Sequence, residues 1–396
     1  MDRRDFLLGL GWTVLGACAP GLAIAAGTPG ASPRTPYDRL LILIELKGGN
    51  DGLNTLVPYA DPAYYALRPR IGIKREDTQP LNTSVGLHGA LSPLMPIWDQ
   101  GQLAVIQGVG YPSPNLSHFR SIEIWDTASA SDEFLQEGWL ARVFTRYPAP
   151  AGFVADGVVM GSPDMGPLQG GSQRTLALGD ENQFLNQSRL ARGGQVSTNP
   201  ALEHVLAVEG EISDAARRLL ADADARSPLR TEFPPHAFGQ LVKNACQLTA
   251  GSNHIAALRL TLSGFDTHQN QPGQQANLLK QLAEGLVALK AGLQEVGAWD
   301  RSLVLSYSEF GRRAKENQSS GTDHGTASVQ FAMGGRVIGG LHGQMPPLDR
   351  LDTNGNLVHT VDFRSVYAEV LNGWWGISPK EFMGQSGSPV GFLQAA

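Results

Sequence analysis

The sequence predicts an α/β protein: a mostly parallel central sheet with helices on both faces. Short unbroken apolar runs recur at Leu40–Leu46, Leu103–Ile106, Ile255–Leu260, Leu303–Ser306 and Val329–Met333. Stretches of helical apolar spacing lie between them, clearest over Gln274–Val296 and Val361–Trp375. An unbroken run, unlike an alternating one, suits a strand buried on both faces. Strand and helix in alternation make neighbouring strands parallel and cover both sides of the sheet. A share of 42% hydrophobic and 17% charged residues fits a well-cored globular chain. A net charge of −6, without Lys/Arg clusters, speaks against nucleic acid as a partner.

The chain opens on Asp2-Arg3-Arg4-Asp5-Phe6-Leu7-Leu8, a twin arginine before an apolar run, Phe6–Val14, that is too short to span a bilayer. Ala23-Ile24-Ala25 supplies an A-x-A cleavage pattern. Residues 1–26 therefore read as a twin-arginine export signal. The expected location is periplasmic or secreted, with the Tat translocase as partner during export and no integral membrane segment after processing. Leu15-Gly16-Ala17-Cys18 also resembles a lipoprotein cleavage box, so a lipid anchor on Cys18 is the alternative.

Residues 27–38, rich in Gly, Pro, Ser and Thr, read as a tether, 39–378 as the α/β domain and 379–396 as a C-terminal tail. Within the domain, residues 150–235 carry many Gly and Gln and a polar helix near Ile212–Ala225, and are expected to form an insertion or cap over the sheet. Cleavage leaves Cys246 as the only cysteine, which excludes an intramolecular disulfide. Its amphipathic surroundings, Phe238–Leu248, suit a buried structural thiol. Trp374 and Trp375 read as core, and His88 as a cap or packing residue. His204, His236, His254, His342 and His359 have no clustered partners.

Ligands of such sheets bind at the carboxyl ends of the strands, where the polar clusters fall. Asp51 sits in Lys47-Gly48-Gly49-Asn50-Asp51-Gly52, straight after the first run; an ordinary Asn-Asp-Gly turn is the competing reading. Ser117-His118-Phe119 opens a helical pattern, where Ser117 reads either as a cap or as a hydroxyl aimed at a bound anion. Gly264-Phe265-Asp266-Thr267-His268 brings one hard oxygen and one borderline nitrogen to a strand end, a pairing suited to a divalent metal. Ser308-Glu309-Phe310-Gly311-Arg312 follows the next strand, and Gly321-Thr322-Asp323-His324-Gly325 precedes the one after. A lone Asp-His pair is usually just a hydrogen-bonded pair. Three acid-bearing clusters at successive strands, two with histidine, point to a metal or catalytic site.

Taken together, these five motifs resemble the DUF1501 family of exported bacterial proteins, grouped with the alkaline phosphatase-like superfamily; the resemblance runs from about residue 38 to 376. It implies an alkaline phosphatase-like fold with one or two zinc ions, Mn, Mg or Ca being alternatives. It implies Ser117 as nucleophile, Asp51 as the first-strand ligand, Asp266, His268 and His324 as the ligands of one metal, and Glu309 as an acid ligand of the second. Superfamily phosphatases carry Asp-His where this chain has Glu309-Phe310, and Asp323 or His118 is left to replace the missing nitrogen. Ser117-His118-Phe119-Arg120 lacks the proline of the Cys/Ser-x-Pro-x-Arg sulfatase setting and places its arginine one residue early. The implied activity is hydrolysis or transfer of a phosphate or sulfate-like ester, small or polymer-linked. Ser117 attacks in line and water releases the covalent intermediate, while Arg120 or Arg312 grips the non-bridging oxygens. A non-catalytic exported binding or structural protein that keeps the fold is the alternative.

The leader yields a direct prediction. A twin-arginine receptor requires the arginine pair, whereas a general secretory signal needs only positive charge. Replacing Arg3 and Arg4 together by Lys is expected to leave the precursor in the cytoplasm, as read by fractionation; normal export of the double variant would rule out this route.

Overall fold

The computed structural model describes residues 36–171, 174–178, 228–250, 254–384 and 387–394. The export signal, Cys18, most of the tether and the polar helix near Ile212–Ala225 lie outside the described residues.

Each apolar run forms a strand. β1 (Leu40–Lys47), β5 (Leu103–Gly110), β8 (Ile255–Ser263), β9 (Ser302–Tyr307) and β10 (Ser328–Gly334) make the middle of the sheet. Its order is β11 (Gly340–Gly343), β5, β10, β9, β1, β8, β6 (Ala155–Met160), β7 (Thr175–Leu178), and β12 (Val361–Asp362) pairs with β5. β1 is parallel to both β8 and β9, with Leu43 opposite Arg259 and Leu305. β10 alone runs antiparallel to its neighbours, β5 and β9. A small antiparallel sheet of β2 (Leu56–Val57), β3 (Thr78–Pro80) and β4 (Gly86–His88) lies apart. β6 and β7 are parallel members of the main sheet. That part of the 150–235 stretch is therefore sheet rather than cover, because Ala155–Met160 is buried throughout and pairs with β8.

Side chains alternate across β1 and build a core on each face. Leu40, Ile42, Ile44 and Leu46 pack in one core with α5 (Ala237–Thr249) and α6 (Gln271–Glu295), where Cys246 is fully buried. Leu41 and Leu43 pack in the other with α3 (His118–Thr127), α4 (Trp139–Arg146) and α7 (Phe363–Glu369). Before α3 come two short helices, α1 (Pro62–Leu67) and α2 (Met95–Asp99). The helical spacing expected over Val361–Trp375 divides into β12, α7 and a π-helical turn, Val370–Trp375, that seats both tryptophans in the second core. Asp362 ends the strand and starts the helix, its carboxylate accepting from Arg364 N at 2.9 Å. His88 caps the turn after β4 through Ala90 N at 3.0 Å.

The second core also holds charge. Arg259 donates to Glu45 Oε2 at 2.7 Å and to the Tyr307 hydroxyl at 2.8 Å, and the Glu45 and Arg259 side chains are wholly buried. Burial pushes the Glu45 carboxyl upward, and the Arg259 guanidinium opposes that. Removing one partner of such a pair strands a charge, whereas replacing both leaves none. Arg259→Met is expected to cost about 3–5 kcal/mol in a denaturant titration, and Glu45→Met/Arg259→Met to recover most of the loss. Equal destabilisation by the single and double variants would show that packing, not charge, holds this part of the sheet.

Candidate metal centre

β10 begins at the edge where the parallel strands end, because it runs the opposite way. The Asp323-His324 cluster, which precedes a strand, thus meets the clusters that follow β5, β8 and β9. Close packing at this edge requires glycine. Gly48 has φ +115°, and a Cβ there would lie 2.4 Å from Asp266 N; Gly49 has φ +85°, and a Cβ there would lie 2.3 Å from the Phe310 ring.

Three imidazoles gather around one carboxylate. Asp266 Oδ1 lies 3.0 Å from His268 Nε2 and 3.1 Å from His324 Nε2, and Asp266 Oδ2 lies 3.4 Å from His118 Nε2. His268 Nε2 and His324 Nε2 are 2.9 Å apart. The ligand atoms of His118, Asp266 and His324 all fall within 4.8 Å of one another, the one such group of three or more among the described residues.

The other nitrogen of each ring fixes its tautomer. His324 Nδ1 bonds the Leu116 carbonyl at 2.8 Å, which can only accept. His118 Nδ1 bonds Glu309 Oε1 at 2.9 Å, and His268 Nδ1 faces Asp323 Oδ1 at 3.4 Å. The carbonyl behind His324 requires a proton on its Nδ1, and the carboxylates behind His118 and His268 favour one there too. Anchoring of the outer nitrogen by a carbonyl or carboxylate is how metal-bound histidines are held. Ligands of a tetrahedral zinc, bound at about 2.0–2.1 Å, stand roughly 3.3 Å from each other. The His118 and His324 nitrogens and the Asp266 carboxylate, with His268 against the same carboxylate, fit a zinc-like ion.

Arg312 holds the carboxylate. It is buried and donates to Asp266 Oδ1 at 2.7 Å, to Gly49 O at 2.7 Å, to Phe265 O at 2.9 Å, to Thr322 O at 3.0 Å and to Gly48 O. Burial raises the Asp266 carboxyl, but the Arg312 guanidinium, aided by the neighbouring imidazoles, more than offsets this and holds it at about 2. Its bond to Glu309 raises the His118 ring, and burial lowers that of His324. The Asp266 side chain is 44% exposed, so the cluster opens to the surface.

Several expected roles change. Asp51 is not among the converging donors: it is buried, clamped by Arg68 at 2.6 and 3.0 Å, and accepts from Gln271 at 2.5 Å. Glu309 supports His118 from behind, with both oxygens accepting from Gly48 N at 2.9 and 3.0 Å. Asp323 stands behind His268 in the same way and also accepts from Asn317 at 3.2 Å. Arg312 positions Asp266 and is not free to hold a substrate. Arg120 bonds Glu123 at 2.8 Å and the Ser131 carbonyl at 3.0 Å. Phe310, in place of the superfamily's second-metal ligand, packs its ring 5.0 Å from His118 and 4.4 Å from His324. His118 joins the cluster itself. Ser117, at the N-cap of α3, is exposed and its side chain makes no capping bond. Sequence reasoning missed the Leu116 carbonyl, which only the folded backbone places behind His324.

Fold and site define an α/β protein with an open histidine–aspartate centre at one sheet edge. The chain belongs to the family described as protein of unknown function (DUF1501), which matches residues 102–381. No curated protein matches it. Similar solved structures include the C-terminal periplasmic domain of EcEptC from Escherichia coli in complex with Zn, at 9% identity over 75% of this chain and 72% of that one, TM-score 0.36. The lipoteichoic acid synthase LtaP from Listeria monocytogenes overlaps at 11% identity over 77% and 68%, TM-score 0.34. A protein in the alkaline phosphatase superfamily from Vibrio parahaemolyticus does so at 10% identity over 76% and 61%, TM-score 0.33. These overlaps are loose, and the chemistry below rests on the chain's own residues.

Ligands and supports separate by experiment. Asp266→Ala or His324→Ala is expected to abolish stoichiometric zinc binding in calorimetry, and Glu309→Gln to weaken it about 10–100-fold. Asp51→Asn should leave zinc binding intact yet cost about 3–5 kcal/mol, since it strands the buried Arg68. Zinc loss in Asp51→Asn, with the fold retained, would restore Asp51 as a ligand.

Proposed function

We propose that this chain is an exported metal-dependent hydrolase or transferase of phosphate or sulfate-like esters, with Ser117 as its nucleophile. The observation that carries the proposal is the convergence of His118 and His324 on an exposed Asp266, with His268 against the same carboxylate and Ser117 next to His118 in the chain. The residues that would hold the ion are His118, His268, His324 and Asp266; a divalent cation there supplies Lewis-acid charge and a nucleophile-lowering field. Zinc fits the donor set best. Asp266, held well below the usual carboxylate range by Arg312, stays ionised at neutral pH. The Ser117 hydroxyl makes no capping bond and is exposed one residue before His118, which supports this role. Phe310 closes the inner wall against water.

With Arg120 and Arg312 engaged, an anionic ester needs another cation. Lys47, exposed where β1 ends and without an ion pair among the described residues, precedes the Gly48 that binds Glu309. We assign it the non-bridging oxygens. The twin-arginine leader supports export through the Tat translocase to the periplasm. No helix among the described residues is long and apolar enough to cross a membrane. Phe310 and the engaged arginines favour a second reading, a non-catalytic protein that retains the centre for binding.

Turnover of aryl phosphate, phosphonate and sulfate esters by the zinc- or manganese-loaded protein distinguishes the two. Ser117→Ala is expected to abolish turnover while metal content and stability stay at wild-type levels, because no cap is lost. If the serine instead caps in solution, stability falls by about 1 kcal/mol and activity persists. Lys47→Ala should raise KM more than it lowers kcat. A wild type that binds metal and turns over none of these esters would establish the binding-only reading.

A further inference from the structure

The alkaline phosphatase-like resemblance implies up to two ions, yet the donors expected of the second do not fit one. Asp51, the first-strand acid, is only 1% exposed, and Arg68 grips both of its oxygens, Oδ2 at 2.6 Å and Oδ1 at 3.0 Å. Gln271 adds a hydrogen bond to Oδ2 at 2.5 Å and Leu53 N one to Oδ1 at 3.1 Å. An ionised carboxylate has about four acceptor positions, and here all are filled. Arg68 is not free to swing aside. Its donors also hold Ala314 O at 2.9 Å, Asn54 Oδ1 at 2.7 Å and Arg313 O at 2.9 Å.

The other donors are engaged or missing. Both oxygens of buried Glu309 accept from Gly48 N, and Oε1 also backs His118 Nδ1. Asp323 stands at His268 Nδ1, not at the Nε2 that joins the cluster. Phe310 offers no ligand atom. Its ring lies 4.4 Å from that of His324, and a Cβ on Gly49 would come within 2.3 Å of it, so that wall is filled with carbon. Paired ions in such centres stand about 3.5–4 Å apart, and that space here is walled by the ring. Charge points the same way. The buried acids Asp51 and Glu309 are matched in number by the buried guanidinia of Arg68 and Arg312, which would repel a further dication. Among the described residues, no second group of three ligand atoms converges.

We infer that the centre holds a single ion, and that the Arg68 guanidinium is the fixed cation of Asp51 in place of a second. An arginine keeps its charge at any physiological pH and its fork matches a carboxylate, so this cation neither dissociates nor exchanges. The inference rests on the metal-dependent reading proposed above, but not on Ser117 or on the ester turned over.

The test is a count of ions. The full chain is dialysed to saturation against zinc or manganese, and the bound metal is measured by elemental analysis. One ion per chain is expected, and Mn²⁺ should give the hyperfine electron-resonance pattern of an isolated ion. Two ions about 3.5–4 Å apart would couple and change that pattern. Phe310→His, which returns a nitrogen to the wall, is expected to bind one ion still, because Asp51 stays clamped. Two ions per wild-type chain, or a coupled Mn²⁺ spectrum, would overturn the inference and leave the metal-dependent reading standing. A second ion in Phe310→His would overturn the part given to Arg68, since the missing nitrogen alone would then have closed the site. A wild type that binds no ion would overturn the metal-dependent reading itself, and this inference with it.

Discussion

Arg312 is the group on which the sheet edge depends. Its guanidinium is buried, and its donors go to the carbonyls of Gly48 and Gly49 after β1, Phe265 after β8 and Thr322 before β10, and to the Asp266 carboxylate. Three loops that are far apart in sequence are thus hung on one planar fork. A lysine ammonium would carry the charge but lacks the fixed fan of donors. The same contacts that close the loops also orient Asp266, so the fold of this edge and the geometry of the cluster are one arrangement.

Around Asp266 each ring is held from behind by a different acceptor: Glu309 for His118, Asp323 for His268 and the Leu116 carbonyl for His324. Those acceptors come from β9's exit, the loop before β10 and the loop before α3. A change in one loop therefore rotates one ring without unfolding the sheet. The antiparallel direction of β10 makes this possible, since it brings a loop that enters a strand to the edge where its neighbours leave theirs.

Carboxylates that look alike along the chain divide by what surrounds them. Asp51 and Asp266 both follow a buried strand within a Gly-rich or Gly-led loop. Asp51 is sealed under α6 with Arg68 and Gln271, while Asp266 lies at the surface with three imidazoles. Asp126 is buried under α3, where it accepts from the Tyr307 hydroxyl near Arg259. Depth and counter-charge, not local motif, assign these acids to scaffold or centre.

The sequence by itself determined the strands and the core. Unbroken apolar runs can bury both faces only inside a covered sheet, and each of the five became a strand. It also determined that Asp266, His268 and His324 belong together, because acids and histidines recur at one end of successive strands. The roles of Asp51, Glu309, Asp323 and the two arginines were decided only in three dimensions. A carboxylate's role depends on which nitrogen reaches it, and Arg68, Gly48 and Asn317 reach theirs from distant segments or through backbone geometry. His118, which the sequence offered only as one of two replacements for a missing ligand, became part of the cluster through the fold of the loop after β5. Ala155–Met160 joined the sheet for a similar reason: six residues carry too little periodicity to show a strand until a partner edge, that of β8, is there to pair with it.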